Sequence, residues 1–375
     1  MISSEKKFFQ WIECDYEKIR DSLLDMMIER WSSDMYLTVW EPPCMRIESR
    51  VARLDDLEKL DQETISNIAA SFLTQEEQEL FFLNRDADLW WGYKNRRFRL
   101  NISKQQKNTM IVIRLLSAKV PTIDEVWLPN LFKDIVKKKG WIILLAWPTG
   151  SGKSTTLAAL IQEINDTEHK HIITIEDPIE YVFKPNKSIV EQKQLWTDVV
   201  SFARALKSCL RQNPDVILFG EMRDPESIKY AITLAETWHL VMSTIHSKSS
   251  AQTISKIADS FPSDQQDQVR LQLSETLVSI VSQRLLRRKD WKWFVVGFEI
   301  MMNNTAVWNI IRKNEIEQLN NVLQTNKKFW MQTLEEHLID LVLRDEIDLE
   351  EALRNANDPD YIVNDLKTRR NFIVE

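Results

Sequence analysis

The chain has 375 residues, enough for two domains, with 49 Lys+Arg against 56 Asp+Glu and a net charge of −7. That balance excludes a general polyanion binder, which needs a basic surplus or a concentrated basic patch. With 43% hydrophobic and 28% charged residues the chain is not a disordered one.

No apolar run reaches the ~18 residues of a membrane span. The start, Met1-Ile2-Ser3-Ser4-Glu5-Lys6-Lys7, lacks an apolar signal core, so export is not expected. Cys14, Cys44 and Cys209 are scattered, which fits a reducing compartment and neither a disulfide framework nor a tetracysteine zinc site.

In chain order, residues 1–30 predict an amphipathic helix, with Phe8, Phe9, Ile12, Ile19, Leu23, Leu24 and Met27 near helical spacing. Alternation over 34–54, broken by Pro42-Pro43, predicts short strands around a turn. Residues 55–84 return to helical spacing, and 96–101 and 109–116 read as paired strands. These elements make a small α+β domain over 1–118, followed by a linker over 119–126.

From 127 to 375 strand and helix signals alternate. Strands are expected at 141–146, 171–175, 215–219 and 239–245, and helices from 153, at 200–212 and at 225–237. The pattern implies a parallel sheet with helices on both faces, an α/β fold. Residues 263–288 and 328–355 read as helices covering its end.

The chemistry begins at Trp147-Pro148-Thr149-Gly150-Ser151-Gly152-Lys153-Ser154-Thr155. It matches the phosphate-loop pattern G-x-x-x-x-G-K-[ST] except at its first position, and it lies between an apolar strand and a helix, as the motif requires. Backbone N–H groups near Gly150 and Gly152 can surround a phosphate where no Cβ intrudes. Lys153 reaches the β- and γ-phosphates, and Ser154 offers a hydroxyl to Mg²⁺. The alternative is a chance Gly/Ser loop before a helix.

Glu176, Asp177 and Glu180 stand at the C-terminal end of a predicted strand, where open α/β sheets bind ligands. Their bland reading is a solvated acidic loop. Asp215 to Glu221 is an apolar strand ending in a carboxylate, the Walker B pattern, with Glu221 placed to hold Mg²⁺ through water. His239 and His246 flank the strand between them; both are expected at the nucleotide edge, as structural or acid–base groups. His169, His171 and His337 read as structural.

Taken together, the phosphate loop, Thr174-Ile175-Glu176-Asp177-Pro178-Ile179-Glu180, Gly220-Glu221-Met222-Arg223-Asp224 and Ala235-Glu236-Thr237-Trp238-His239 resemble the type II/IV secretion ATPases. The likeness runs through nearly the whole chain. It implies a RecA-like P-loop NTPase domain preceded by a PAS-like α+β domain.

The resemblance further implies a homohexameric, Mg²⁺-dependent ATPase motor using ATP. It would work at the cytoplasmic face of the inner membrane, through a membrane platform protein and indirectly on pilin, without nucleic acid. Carried over, Thr149 to Thr155 bind the nucleotide, Ser154 and Glu221 serve the metal, Glu180 is the favoured general base and Glu176 the reserve. Arg99 and Arg114 clamp the γ-phosphate, and His239 and His246 fall on the family's His box. Where the family has two arginines four residues apart, this chain has Lys207 and Arg211, so the first has lost its bidentate fork.

The lack of a tetracysteine module and the segment Ala306-Val307-Trp308-Asn309-Ile310-Ile311-Arg312 point to the branch that retracts type IV pili rather than to assembly or secretion ATPases. The rivals are a non-hydrolysing ring subunit, if Trp147 blocks the loop, and a RecA-like nucleic-acid motor, which the net charge disfavours.

One composition feature is abnormal. The chain has 6 Gly and 14 Trp, against roughly 26 Gly at ~7% average usage. Trp40, Trp127, Trp141, Trp147, Trp238 and Trp330 stand where the family pattern has Gly, and Trp196, Trp291 and Trp293 do so more loosely. A UGA codon read as glycine in the source cell, but translated here as tryptophan, accounts for all of them. Trp11, Trp31, Trp90, Trp91 and Trp308 are not assigned on this ground.

Overall fold

The computed structural model describes residues 15–47, 50–116, 119–138, 140–146, 151–290 and 294–370. The chain divides into two compact units, one ending at Lys119 and the other beginning at Val120.

In the first unit α1 (Tyr16–Glu29) starts at Asp15, whose side chain accepts from the Lys18 N–H. Short strands β1 (Asp34–Leu37), β2 (Cys44–Ile47) and β3 (Arg50–Arg53) follow. Then come α2 (Gln62–Phe72), α3 (Gln75–Asn84), β4 (Asp86–Tyr93), β5 (Arg96–Gln105) and β6 (Asn108–Leu115). The six strands form one antiparallel sheet in the order β3-β2-β1-β6-β5-β4.

Alternate residues of β5 and β6, Phe98, Leu100, Ile102, Ile111 and Ile113, share a core with Leu23, Leu24, Ile65 and Ile68 of α1 and α2. The unit is thus α+β. The predicted helix over 1–30 is seen from Tyr16; its first half lies outside the described residues.

The second unit begins before the predicted boundary. Ile123, Val126 and Leu128 are buried in its core, so this stretch is packed structure and not a connector, which corrects the 119–126 linker. The elements are α4 (Leu131–Ile135), β7 (Trp141–Ala146), α5 (Lys153–Thr167), β8 (His171–Glu176), β9 (Ile189–Gln194), α6 (Phe202–Cys209), β10 (Val216–Glu221), α7 (Pro225–Glu236) and β11 (Leu240–Ile245). They continue with α8 (Ser250–Asp259), α9 (Ser263–Thr276), β12 (Leu277–Arg287), β13 (Phe294–Met302), α10 (Thr305–Lys313), α11 (Leu319–Thr325), α12 (Leu334–Leu343), α13 (Leu349–Asn355) and α14 (Pro359–Arg370).

The sheet runs β13-β12-β7-β11-β10-β8-β9, parallel except for β13, which is antiparallel to β12. Its central strands bury apolar residues on both faces because both faces are covered. Along β7, Ile142, Leu144 and Ala146 enter one core and Ile143 and Leu145 the other.

The helix predicted over 263–288 ends at Thr276, and Leu277–Arg287 is a strand. The sequence Leu-Val-Ser-Ile-Val-Ser-Gln-Arg-Leu-Leu-Arg keeps no clean period that separates a buried strand from a helix, so here pairing with β7 and β13 decided. Likewise the predicted 328–355 helices begin at Leu334, because Gln332 bridges to Ile300 in the sheet.

No helix among the described residues is long and apolar enough to cross a membrane.

Candidate functional site

A cavity of about 450 Å³ opens at the C-terminal ends of the parallel strands. The described residues that line it belong to the second unit, among them Gly152 to Thr155, Glu176, Glu180, Glu221 and His246. Trp147, Pro148, Thr149 and Gly150 lie outside the described residues.

Gly152 caps α5 at φ +83°, a conformation that favours glycine, and a Cβ there would meet Gln283 Nε2 at 3.2 Å. Lys153 is the first residue of α5, so the helix's unsatisfied N–H groups and its positive end face the cavity. The residue is buried, and burial lowers the pKa of its ammonium from the usual lysine range, while the Glu221 charge pulls it back up. The buried Ser151 Oγ has no hydrogen-bond partner among the described residues, a donor that can serve an anion.

Gln283 of β12 holds this loop from behind. Its Nε2 donates to the Ser151 carbonyl at 2.6 Å, and its Oε1 accepts from Thr156 Oγ1 at 2.9 Å. Nothing in the sequence marks Gln283, because it lies on the strand that reads as helix and far along the chain from the loop. Tyr181 is a second residue that sequence reasoning missed: its hydroxyl lies 3.0 Å from Thr155 Oγ1.

The acidic box is asymmetric. Glu176 Oε1 accepts from Thr174 Oγ1 at 2.6 Å and from Gln192 Nε2 at 3.1 Å. Burial raises its pKa, and those two hydrogen bonds only partly oppose the rise. Glu180 lines the same cavity.

On the neighbouring strand Glu221 receives Arg223 Nε at 2.7 Å and stands 3.3 Å from His246 Nε2. Gly220 precedes it at an irregularity in the β10–β11 register, and a Cβ there would touch the Phe202 ring at 3.0 Å. The hydroxyl of Ser154 and the carboxylate of Glu221 suit Mg²⁺, which takes one or two protein oxygens and fills its shell with phosphate and water.

His239 corrects the expectation that both histidines share the nucleotide edge. It stands at the opposite end of β11 from His246, roughly 20 Å away at ~3.3 Å per residue. There its Nδ1 donates to the Leu234 carbonyl at 2.8 Å, closing the end of α7.

Arg99 and Arg114 lie in the first unit as direct cross-strand partners on β5 and β6. Two like charges so placed repel, and each is held by its own carboxylate. Arg99 pairs with Asp88 at 3.0 Å and Arg114 with Asp34 at 2.7 Å.

Residues 92–326 match the family model described as Type II/IV secretion system protein. The chain is 39% identical over 347 residues to a protein of Neisseria gonorrhoeae named "Twitching motility protein", covering 92% of both. It is 37% identical over 339 residues to the "Type IV pilus retractation ATPase PilT" of Pseudomonas aeruginosa, covering 90% of this chain and 98% of that protein. Among solved structures, that of the pilus retraction motor PilT with bound ADP superposes with a TM-score of 0.86 at 39% identity, covering 92% of this chain and 98% of the other.

Proposed function

The chain belongs to the Type II/IV secretion system protein family, and on that premise we propose that it is an ATP-hydrolysing motor that retracts type IV pili. The observation that carries the reading is the convergence of Lys153, Ser154, Glu176, Glu180, Glu221 and His246 on one cavity at a helix N-terminus. It has the parts of a P-loop phosphoryl-transfer site: a phosphate cradle, a lysine, a metal-side acid and carboxylates for the nucleophilic water.

In this reading the N–H groups opening α5, with Ser151 to Thr155 and the preceding Thr149 and Gly150, hold the phosphates of ATP. Lys153 stays charged beside Glu221 and neutralises the terminal phosphate. Ser154 and Glu221 would hold Mg²⁺, which when bound spreads the developing phosphate charge. Glu180 takes the proton of the attacking water. Glu176, fixed by Thr174 and Gln192 and raised in proton affinity, is the reserve base. His246 orients Glu221, and Arg99 and Arg114 exchange their carboxylate partners for the γ-phosphate, in the role of arginine fingers.

The motor works as a homohexamer at the cytoplasmic face of the inner membrane, through a membrane platform protein and without nucleic acid. Retraction rather than pilus assembly or type II secretion rests on the names of the similar proteins and on the segment 306–312, which forms α10. Lys153→Ala is expected to abolish ATP turnover; full turnover in that variant would sink the proposal. A non-hydrolysing ring subunit is the second reading, favoured by one observation, the indole of Trp147 at the first position of the phosphate loop.

A further inference from the structure

Ten of the 14 tryptophans lie among the described residues, and six of them take left-handed backbone conformations. They are Trp31 (φ +51°), Trp40 (+67°), Trp127 (+62°), Trp196 (+67°), Trp238 (+71°) and Trp330 (+65°). Of the five described glycines, two do so. L-residues with a bulky side chain are outliers in this region, because Cβ crowds the following carbonyl; glycine, and less often Asn or Asp, is the usual occupant.

The hydrogen bonds say what these positions are. Trp31 N–H reaches Ile28 O and Ser32 N–H reaches Met27 O. Trp127 and Leu128 bond Asp124 O and Ile123 O in the same way, and Trp238 and His239 bond Ala235 O and Leu234 O. Each is a Schellman motif, whose left-handed residue is most often glycine. Two further copies close α10 and α12, and their left-handed residues are Asn314 and Asp345, the residue types that tolerate the conformation. Trp40, Trp196 and Trp330 lie at other turns, where their N–H groups bond Leu60 O, Val199 O and Lys327 O.

Nor do the six indoles have a packing reason to be there. All are exposed, from 54% at Trp330 to 81% at Trp31. None makes an aromatic or cation–π contact among the described residues. Three tryptophans in ordinary strand or helix behave otherwise. Trp90 lies under Arg97 and Arg99, at 5.3 and 5.8 Å. Trp91 meets the Phe72 ring edge-on at 5.3 Å and carries Arg20 at 4.6 Å. Trp308 carries Arg312 at 5.0 Å.

We propose that Trp31, Trp40, Trp127, Trp196, Trp238 and Trp330 are glycine in the polypeptide that the source cell makes, read from UGA codons, and that Trp90, Trp91 and Trp308 are true tryptophans. Backbone conformation and side-chain contact sort the two classes without reference to the protein's activity. Trp31, which no sequence pattern assigned, joins the glycine class. Trp141 lies in β7 outside the left-handed region, and its backbone carries no demand for glycine. Carried by motif position to Trp147, the same codon reading completes the pattern Gly-x-x-x-x-Gly-Lys-Ser.

The test is peptide mass spectrometry of the chain purified from its source cell, with the nine codons read from the gene. The expected result is UGA and the glycine mass at the six positions, with UGG and the tryptophan mass at 90, 91 and 308. An indole mass at any of the six overturns the proposal, and a glycine mass at 90, 91 or 308 overturns the sorting by conformation and contact.

Discussion

Replacing Trp238 by glycine and, separately, by alanine isolates the backbone demand at the end of α7. Both variants remove the same indole, which is 74% exposed, so the lost burial cancels between them. What remains is the left-handed conformation at φ +71°. It penalises the alanine Cβ by roughly 1–2 kcal/mol, whereas the freer unfolded chain penalises glycine by roughly 0.4–1 kcal/mol. The glycine variant is therefore expected to be more stable by about 1 kcal/mol.

On a unit of this size that difference is about 2–4 °C in Tm. The same sign is expected at Trp31 and Trp127, which close their turns with the same hydrogen bonds. At Trp308, inside α10, the sign reverses, because glycine in a helix interior costs about 1 kcal/mol relative to alanine. Urea unfolding of the eight variants gives the comparison directly. Alanine equal to or better than glycine at 31, 127 and 238 would refute the reasoning, whatever the absolute stabilities.

Gln283→Ala removes two buried hydrogen bonds behind the phosphate loop and leaves the Ser151 carbonyl and Thr156 hydroxyl unpaired. It should cost about 2 kcal/mol of stability and about tenfold in nucleotide affinity, measured by denaturation and calorimetry; unchanged affinity would make Gln283 a core residue and nothing more. In a glycine-restored chain, Glu180→Gln should lower kcat by about 10²-fold or more as the loss of a general base, with Glu176→Gln the smaller effect; the reverse ranking in steady-state assays would move the base to Glu176.

His337 accepts the Phe298 N–H at 2.8 Å and stacks on the Phe298 ring, and burial lowers its pKa to about 4. The unfolded imidazole binds a proton near pH 6.5 and the folded one does not, so stability is complete above ~6.5 and is lost as pH falls toward ~4, by up to about 3 kcal/mol. His337→Gln should flatten that slope in urea titrations across pH; an unchanged slope would place the proton uptake elsewhere.

Much of this protein was legible in its residues because local signals and tertiary context agreed. The strands at 141–146, 171–176, 216–221 and 240–245 are built around apolar residues and alternate with helices, which already implies a parallel sheet covered on both faces. Lys153, Glu176, Glu180 and Glu221 follow or end those strands, so parallel geometry alone brings them to one edge.

What chain order could not carry was anything set by a distant partner. Leu277–Arg287 is a strand because β7 and β13 offered it hydrogen bonds, and Gln283 meets Ser151 because that strand lies beside β7. His239 and His246 look equivalent along the chain, but a parallel strand puts its two ends on opposite sides of the sheet. The tryptophans divide for the same reason. A residue's name does not state its φ, and the left-handed turns at Trp31 and Trp196 appear only when the helices and loops around them have folded.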